Sequence, residues 1–108
     1  MKALIFLIFA GFGASFAMAG EIYGTVVDTG KPVPAGIKIE IDAAGKTYAG
    51  ETDKFGTYHI FVNDKGKCHL TVHYKDQKPA VDIFSYDRAT RYDWTVESTD
   101  GKLSLKRK

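Results

Sequence analysis

The chain has 108 residues, with 15 Lys and Arg against 13 Asp and Glu and a formal net charge of +2. This near balance gives no support to nucleic-acid binding, which depends on a concentrated excess of basic residues. Because Cys68 is the only cysteine, no disulfide can form within the chain, and a small domain of this kind must rely on its apolar core.

The first element in chain order is an apolar leader. One basic residue, Lys2, precedes an unbroken run of apolar and small residues that ends in Ala-Met-Ala. Small residues one and three positions before a cleavage point are typical of a secretory signal peptide. We therefore expect residues 1–19 to be a signal peptide, cleaved between Ala19 and Gly20. The remaining domain, residues 20–108, is expected to be periplasmic or secreted, with no membrane span.

Short runs of alternating apolar and polar residues follow the leader, separated by Gly, Pro, Asn and Asp. The clearest is I-K-I-E-I, in which Ile37, Ile39 and Ile41 are expected to face a core. Pro32 and Pro34 exclude a central strand in the connection before it. The predicted strands are residues 22–28, 37–41, 46–52, 57–62, 68–74, 81–86, 92–98 and 102–105. Regularly spaced strands without a helical period predict an all-β fold, a small β-sandwich of seven or eight strands.

The stretch T-D-K-F-G-T-Y, residues 52–58, combines a carboxylate, a glycine and two aromatic residues. Asp53 can accept hydrogen bonds from backbone N–H groups two or three residues ahead, and Gly56 can adopt a positive φ without steric cost. Tyr58 would then begin the inward face of the next strand. Because a lone Asp beside a glycine turn has no acid–base partner, we interpret these residues as a structural turn.

Four motifs in this order resemble those of the carboxypeptidase regulatory-like domain: I-Y-G-T-V-V-D, G-K-P-V-P-A-G-I-K-I-E-I, T-D-K-F-G-T-Y-H-I and G-K-C-H-L-T-V. The resemblance extends from residue 22 to about residue 74. It implies a transthyretin-like (immunoglobulin-like) sandwich, a fold also grouped with carbohydrate-binding sandwiches. It also implies that the aspartate–glycine turn shapes the fold and that the domain serves as an accessory or interaction module.

Three histidines fall in two consecutive predicted strands. If these strands form a hairpin in which Cys68 faces Val62 on the inward side, His59 lies diagonal to both His69 and His73 on the outward face. Three His ligands with one open position are a known arrangement for zinc and copper. The alternative is three solvated histidines, because a slip of one residue would separate them.

The segment F-S-Y-D-R-A-T-R-Y-D-W, residues 84–94, concentrates aromatic and charged residues. Aromatic faces with nearby donors and acceptors suit sugar rings or a partner's surface, and arginines can bind a carboxylate through two hydrogen bonds. In the alternative interpretation, an inward strand face includes Trp94, and the charged residues only stabilise the loop. The candidate residues for ligand or partner binding are Tyr86, Asp87, Arg88, Arg91 and Tyr92.

No motif for a nucleophile elbow, a zinc-binding helix or a phosphate loop is present, so we expect no catalytic residues and no cofactor. The sequence favours an exported, non-catalytic binding or interaction module whose partner is a carbohydrate or an envelope protein. The alternative is a metal-binding protein or metal-dependent enzyme that uses His59, His69 and His73. A further alternative is strand addition at an exposed edge formed by residues 102–105. The basic tail, K-L-S-L-K-R-K, is interpreted as a solvated end.

Overall fold

A computed structural model describes residues 20–108, so the predicted signal peptide and Ala19 lie outside the described residues. Within this range no helix is long or apolar enough to cross a membrane. The ten strands are β1 (Glu21–Asp28), β2 (Lys31–Pro32), β3 (Lys38–Ala43), β4 (Lys46–Glu51), β5 (Thr57–Phe61), β6 (Gly66–Val72), β7 (Ala80–Ser85), β8 (Thr90–Arg91), β9 (Trp94–Thr99) and β10 (Lys102–Arg107).

The strands form two sheets around one core. The first sheet has the order β10–β9–β1–β2, and β5 and β8 also pair with β1. β1 is antiparallel to β5 along its first half and parallel to β8 and β9. The second sheet has the order β4–β3–β6–β7, with all its strand pairs antiparallel. The predicted all-β sandwich is therefore confirmed.

All eight predicted strands coincide with observed strands to within two residues at each end. The two additional strands, β2 and β8, have only two residues each, which is too short to produce an alternating pattern in the sequence. Pro32 lies in β2 and is exposed, consistent with the expectation that proline excludes a central strand here.

The core lies between the two sheets and follows the alternation of the strands. Ile39 and Ile41 are fully buried, whereas Ile37 is only partly buried against the core. Cys68 is also buried, as expected for a small apolar side chain on an inward position, and burial raises the pKa of its thiol. Trp94 is the single tryptophan and contributes a large aromatic surface to this core.

The predicted hydrogen bonds of the aspartate–glycine turn are present. The Oδ1 atom of Asp53 accepts hydrogen bonds from the backbone N–H groups of Phe55 (2.9 Å) and Thr57 (3.0 Å). Both hydrogen bonds lower the pKa of Asp53, and the bond from Thr57 has the larger effect. Gly56 has a φ of 74°, and a Cβ atom there would lie 2.6 Å from the carbonyl oxygen of Val26. Glycine is therefore required at this position for both backbone conformation and space.

The predicted hairpin between β5 and β6 is wrong. β5 pairs with β1 in the first sheet, whereas β6 pairs with β3 and β7 in the second. The chain crosses from one sheet to the other through residues 62–65. Because both sheets place alternate residues in the same core, the inward pattern of β5 and β6 is equally compatible with pairing and with crossing over.

Candidate functional site

The structure does not bring the three predicted histidines together. Because β5 and β6 belong to different sheets, His59 is separated from His69 and His73, and each histidine contacts a carboxylate on a neighbouring strand. Across residues 20–108, no group of three or more His, Cys, Asp or Glu side chains is placed to hold a metal ion. The predicted geometry of a shared metal site is therefore wrong. The observed pairs are His59 with Glu21 (2.7 Å), His69 with Asp82 (3.1 Å) and His73 with Glu40 (2.5 Å).

Two of these carboxylates are stabilised in the ionised form. The hydrogen bond from His73, supported by Lys38, lowers the pKa of Glu40. The hydrogen bond from His69, supported by Lys67, lowers the pKa of Asp82. These contacts link neighbouring strands across the outer face of the second sheet. They give His69 and His73 a structural role that requires no bound ligand.

An exposed group of side chains lies at the end of β7, an edge strand of the second sheet. We call Phe84, Tyr86 and Arg88 the aromatic strip. Phe84 and Tyr86 are 48% and 41% exposed, and their ring centroids lie 6.4 Å apart with an interplanar angle of 29°. The guanidinium carbon of Arg88 lies 5.3 Å from the centroid of the Tyr86 ring. Ile83 and Ser85 point into the core, so the alternation of β7 directs the two aromatic rings outward.

The prediction that Tyr92 contacts a ligand is wrong, because its side chain is only 6% exposed and belongs to the core. Its hydroxyl group accepts a hydrogen bond from the backbone N–H of Phe84 (3.1 Å) and donates one to the carbonyl oxygen of the same residue (3.0 Å). Tyr92 therefore fixes the backbone of β7 where the aromatic strip begins. It supports the strip and does not form part of its surface.

Beneath Tyr92 lies a buried network of aromatic residues. The hydroxyl of Tyr58 donates a hydrogen bond to the carbonyl oxygen of Tyr92 (2.6 Å) and accepts one from Nε1 of Trp94 (3.2 Å). The rings of Tyr92 and Trp94 are stacked with centroids 5.8 Å apart. Burial raises the pKa of Tyr58, so its hydroxyl keeps its proton and remains a donor. The network connects β5 and β9 to the segment that supports the strip.

Arg91 is paired with the carboxylate of Asp93. Its Nε atom lies 2.9 Å from Oδ2 of Asp93, whose Oδ1 also accepts a hydrogen bond from the backbone N–H of Thr25. Partial burial acts to raise the pKa of Asp93, but the hydrogen bonds from Arg91 and Thr25 lower it overall. Asp87 is exposed in the loop after β7. Of the five predicted binding residues, the structure thus brings Tyr86 and Arg88 into contact.

Two residues, one in the aromatic strip and one in contact with Tyr92, were not predicted from the sequence. Phe84 was accessible to prediction, because a strand over residues 81–86 with Ile83 inward places Phe84 outward. Arg107 was not accessible to prediction. Its guanidinium carbon lies 4.5 Å from the centroid of the Tyr92 ring because β10 pairs with β9, and the sequence does not reveal that pairing. The interpretation of the basic tail as a solvated end is therefore corrected for Lys102–Arg107, which forms a paired strand.

The edge of β10, considered above for strand addition, is partly occupied by a side chain. Oε1 of Gln77 accepts a hydrogen bond from the backbone N–H of Leu103 (2.9 Å), and its Nε2 donates one to the carbonyl oxygen of Gly101 (2.7 Å). The amide of Gln77 thus takes the place that a neighbouring strand's peptide group would occupy. Residues 101–103 are closed to strand addition in this conformation.

Comparison with solved structures identifies the fold. The 5-hydroxyisourate hydrolase of Klebsiella pneumoniae matches 82% of this chain and 98% of its own, with a TM-score of 0.59 and 16% identity. A Bacteroides uniformis protein provisionally described as carbohydrate-binding matches 83% of this chain and 54% of its own, with a TM-score of 0.49 and 15% identity. No family model matches the chain, and no curated protein matches its sequence. The chain is an all-β sandwich with a transthyretin-like fold.

Proposed function

We propose that this chain is an exported, non-catalytic binding module that recognises a carbohydrate through the aromatic strip. The proposal rests on one observation: two large aromatic rings, Phe84 and Tyr86, are exposed side by side at the end of an edge strand and stack on each other. Aromatic faces stack on sugar rings, and the neighbouring guanidinium of Arg88 supplies directional hydrogen-bond donors.

The exposed rings offer enough apolar surface to contribute to binding. Covering the exposed part of one ring of this size contributes about 2 kcal/mol at the usual energy per unit of buried apolar area. The contribution is not lost to ordering of the backbone, because Tyr92 already holds both backbone groups of Phe84. A preformed surface of this kind favours recognition without a conformational change.

The resemblance of the sequence motifs to the carboxypeptidase regulatory-like domain supports the same role, since that domain is an accessory module grouped with carbohydrate-binding sandwiches. The apolar leader with its Ala-Met-Ala end supports export and cleavage after Ala19. A carbohydrate ligand is therefore expected at the cell envelope or outside the cell.

The test is binding of the purified protein to a panel of polysaccharides by affinity electrophoresis and titration calorimetry. Phe84→Ala and Tyr86→Ala should each weaken binding at least tenfold, because covering the exposed part of either ring contributes about 2 kcal/mol. The matched control is Phe55→Ala, which removes a ring that is 63% exposed at the turn before β5. Undiminished binding in both strip variants, or no retention by any glycan, would refute the proposed function.

A further inference from the structure

Two arginines that are distant in the sequence, one within the aromatic strip and one on the residue that supports it, each lie over an aromatic ring. Arg88 stacks on Tyr86 from the loop after β7. Arg107 arrives from β10, where it pairs with Trp94 of β9, and its guanidinium covers the ring of Tyr92. Because the hydroxyl of Tyr92 is bonded to the backbone of Phe84, Arg107 lies on the side chain that supports the strip.

The charges of these two arginines are not neutralised by neighbouring acids. Arg91 pairs with Asp93 and Lys106 pairs with Glu97. In contrast, none of the ion pairs formed within residues 20–108 includes Arg88 or Arg107. Asp87 is likewise in none of the ion pairs of the described residues, so both guanidinium groups are open to an external acid.

Both guanidinium groups lie over aromatic rings and belong to exposed residues. A guanidinium in this position can still donate two parallel hydrogen bonds to a carboxylate or to a similar oxyanion. Nη2 of Arg107 donates one hydrogen bond to the carbonyl oxygen of Arg91. The remaining N–H groups of Arg107 are the donors available to an oxyanion.

We infer that the ligand of the aromatic strip is an anionic polysaccharide, whose sugar rings stack on Phe84 and Tyr86 while its acidic groups bind Arg88 and Arg107. This inference rests on the proposed function and specifies its ligand class. The exposed rings favour a glycan over other polyanions. The near balance of charge over the whole chain disfavours nucleic acid, which needs a larger basic surface.

The experiment measures binding of the purified protein to polygalacturonate, to dextran sulfate and to a neutral glucan. Arg88→Ala and Arg107→Ala should each weaken binding to the acidic polymers about tenfold, as expected for the loss of one charge-assisted contact. Raising the salt concentration should weaken it further, because exposed charges are screened. The matched control is Lys54→Ala, since Lys54 lies over the exposed ring of Phe55 at a similar distance, 5.2 Å, on another turn.

The outcomes separate the inference from the proposed function. Preference for polygalacturonate or for dextran sulfate supports the inference and assigns the acidic group as carboxylate or sulfate. Equal binding of the neutral glucan, lost in Tyr86→Ala but unchanged in both arginine variants, overturns the inference and leaves the proposed function standing. Poly-glutamate, an acidic polymer without sugar rings, is measured alongside, and binding as tight as that of polygalacturonate would overturn the assignment of a glycan. Arg107→Lys, which keeps the charge but not the paired donors, should bind like Arg107→Ala if the melting temperature is unchanged.

Discussion

The buried hydroxyl of Tyr58 gives the most direct test of how the strip is supported. Tyr58→Phe removes the hydrogen bond to the carbonyl oxygen of Tyr92 and leaves Nε1 of Trp94 without its acceptor. A neutral hydrogen bond contributes about 1 kcal/mol, and a buried donor without a partner costs about 1–3 kcal/mol. We therefore expect the free energy of unfolding to fall by about 2–4 kcal/mol.

Urea unfolding followed by Trp94 fluorescence measures this loss. The slope of the free energy of unfolding against urea concentration should stay unchanged, which shows that the denatured state is the same in both proteins. The control is Tyr48→Phe, because the hydroxyl of Tyr48 bonds Asp64 at 2.6 Å on a half-buried site open to water. Loss of this hydrogen bond should destabilise the fold less, because water can replace the missing partner. If Tyr58→Phe were no more destabilising than Tyr48→Phe, the buried network would not be supporting the fold as described.

Two further predictions concern single polar groups. The hydroxyl of Ser85 is buried without a hydrogen-bond partner among the described residues. Ser85→Ala should therefore raise the free energy of unfolding by up to about 1 kcal/mol, measured by urea unfolding. The control, Ser104→Ala at an exposed position, should change the free energy of unfolding by less than about 0.5 kcal/mol. The backbone N–H groups of Thr57 and Phe55 lower the pKa of Asp53, so its contribution is complete above the unfolded pKa of about 3.8 and is lost as the pH falls through the folded value. Melting temperatures between pH 2 and 6 should therefore decline less steeply on acidification in Asp53→Asn; an identical decline would contradict this role.

The positions of the strands and of the turn were predictable because they depend on neighbours in the sequence. Alternation located the inward face that includes Trp94, and the Asp53–Gly56 spacing located the turn. The assignment of strands to sheets was not predictable, because the inner faces of both sheets carry the same alternation. That ambiguity explains why His59 was wrongly placed beside His69.

The same distinction applies to the candidate site. Tyr86 and Arg88 are close in sequence, and their contact follows from one loop. Phe84 could have been added from the strand pattern alone. The contact of Arg107 with the Tyr92 ring could not have been predicted in this way. It depends on the register of β10 against β9, which the alternation of residues in the sequence leaves undetermined.

The bonds that Tyr92 and Gln77 make to the edges of β7 and β10 also bear on self-association. A sandwich that displays unpaired strand edges beside exposed rings is prone to stack with its own copies. Here side chains hold the backbone groups of Phe84 and Leu103 that another copy would need. These hydrogen bonds thus oppose fibril-like growth at the two strand edges at high concentration.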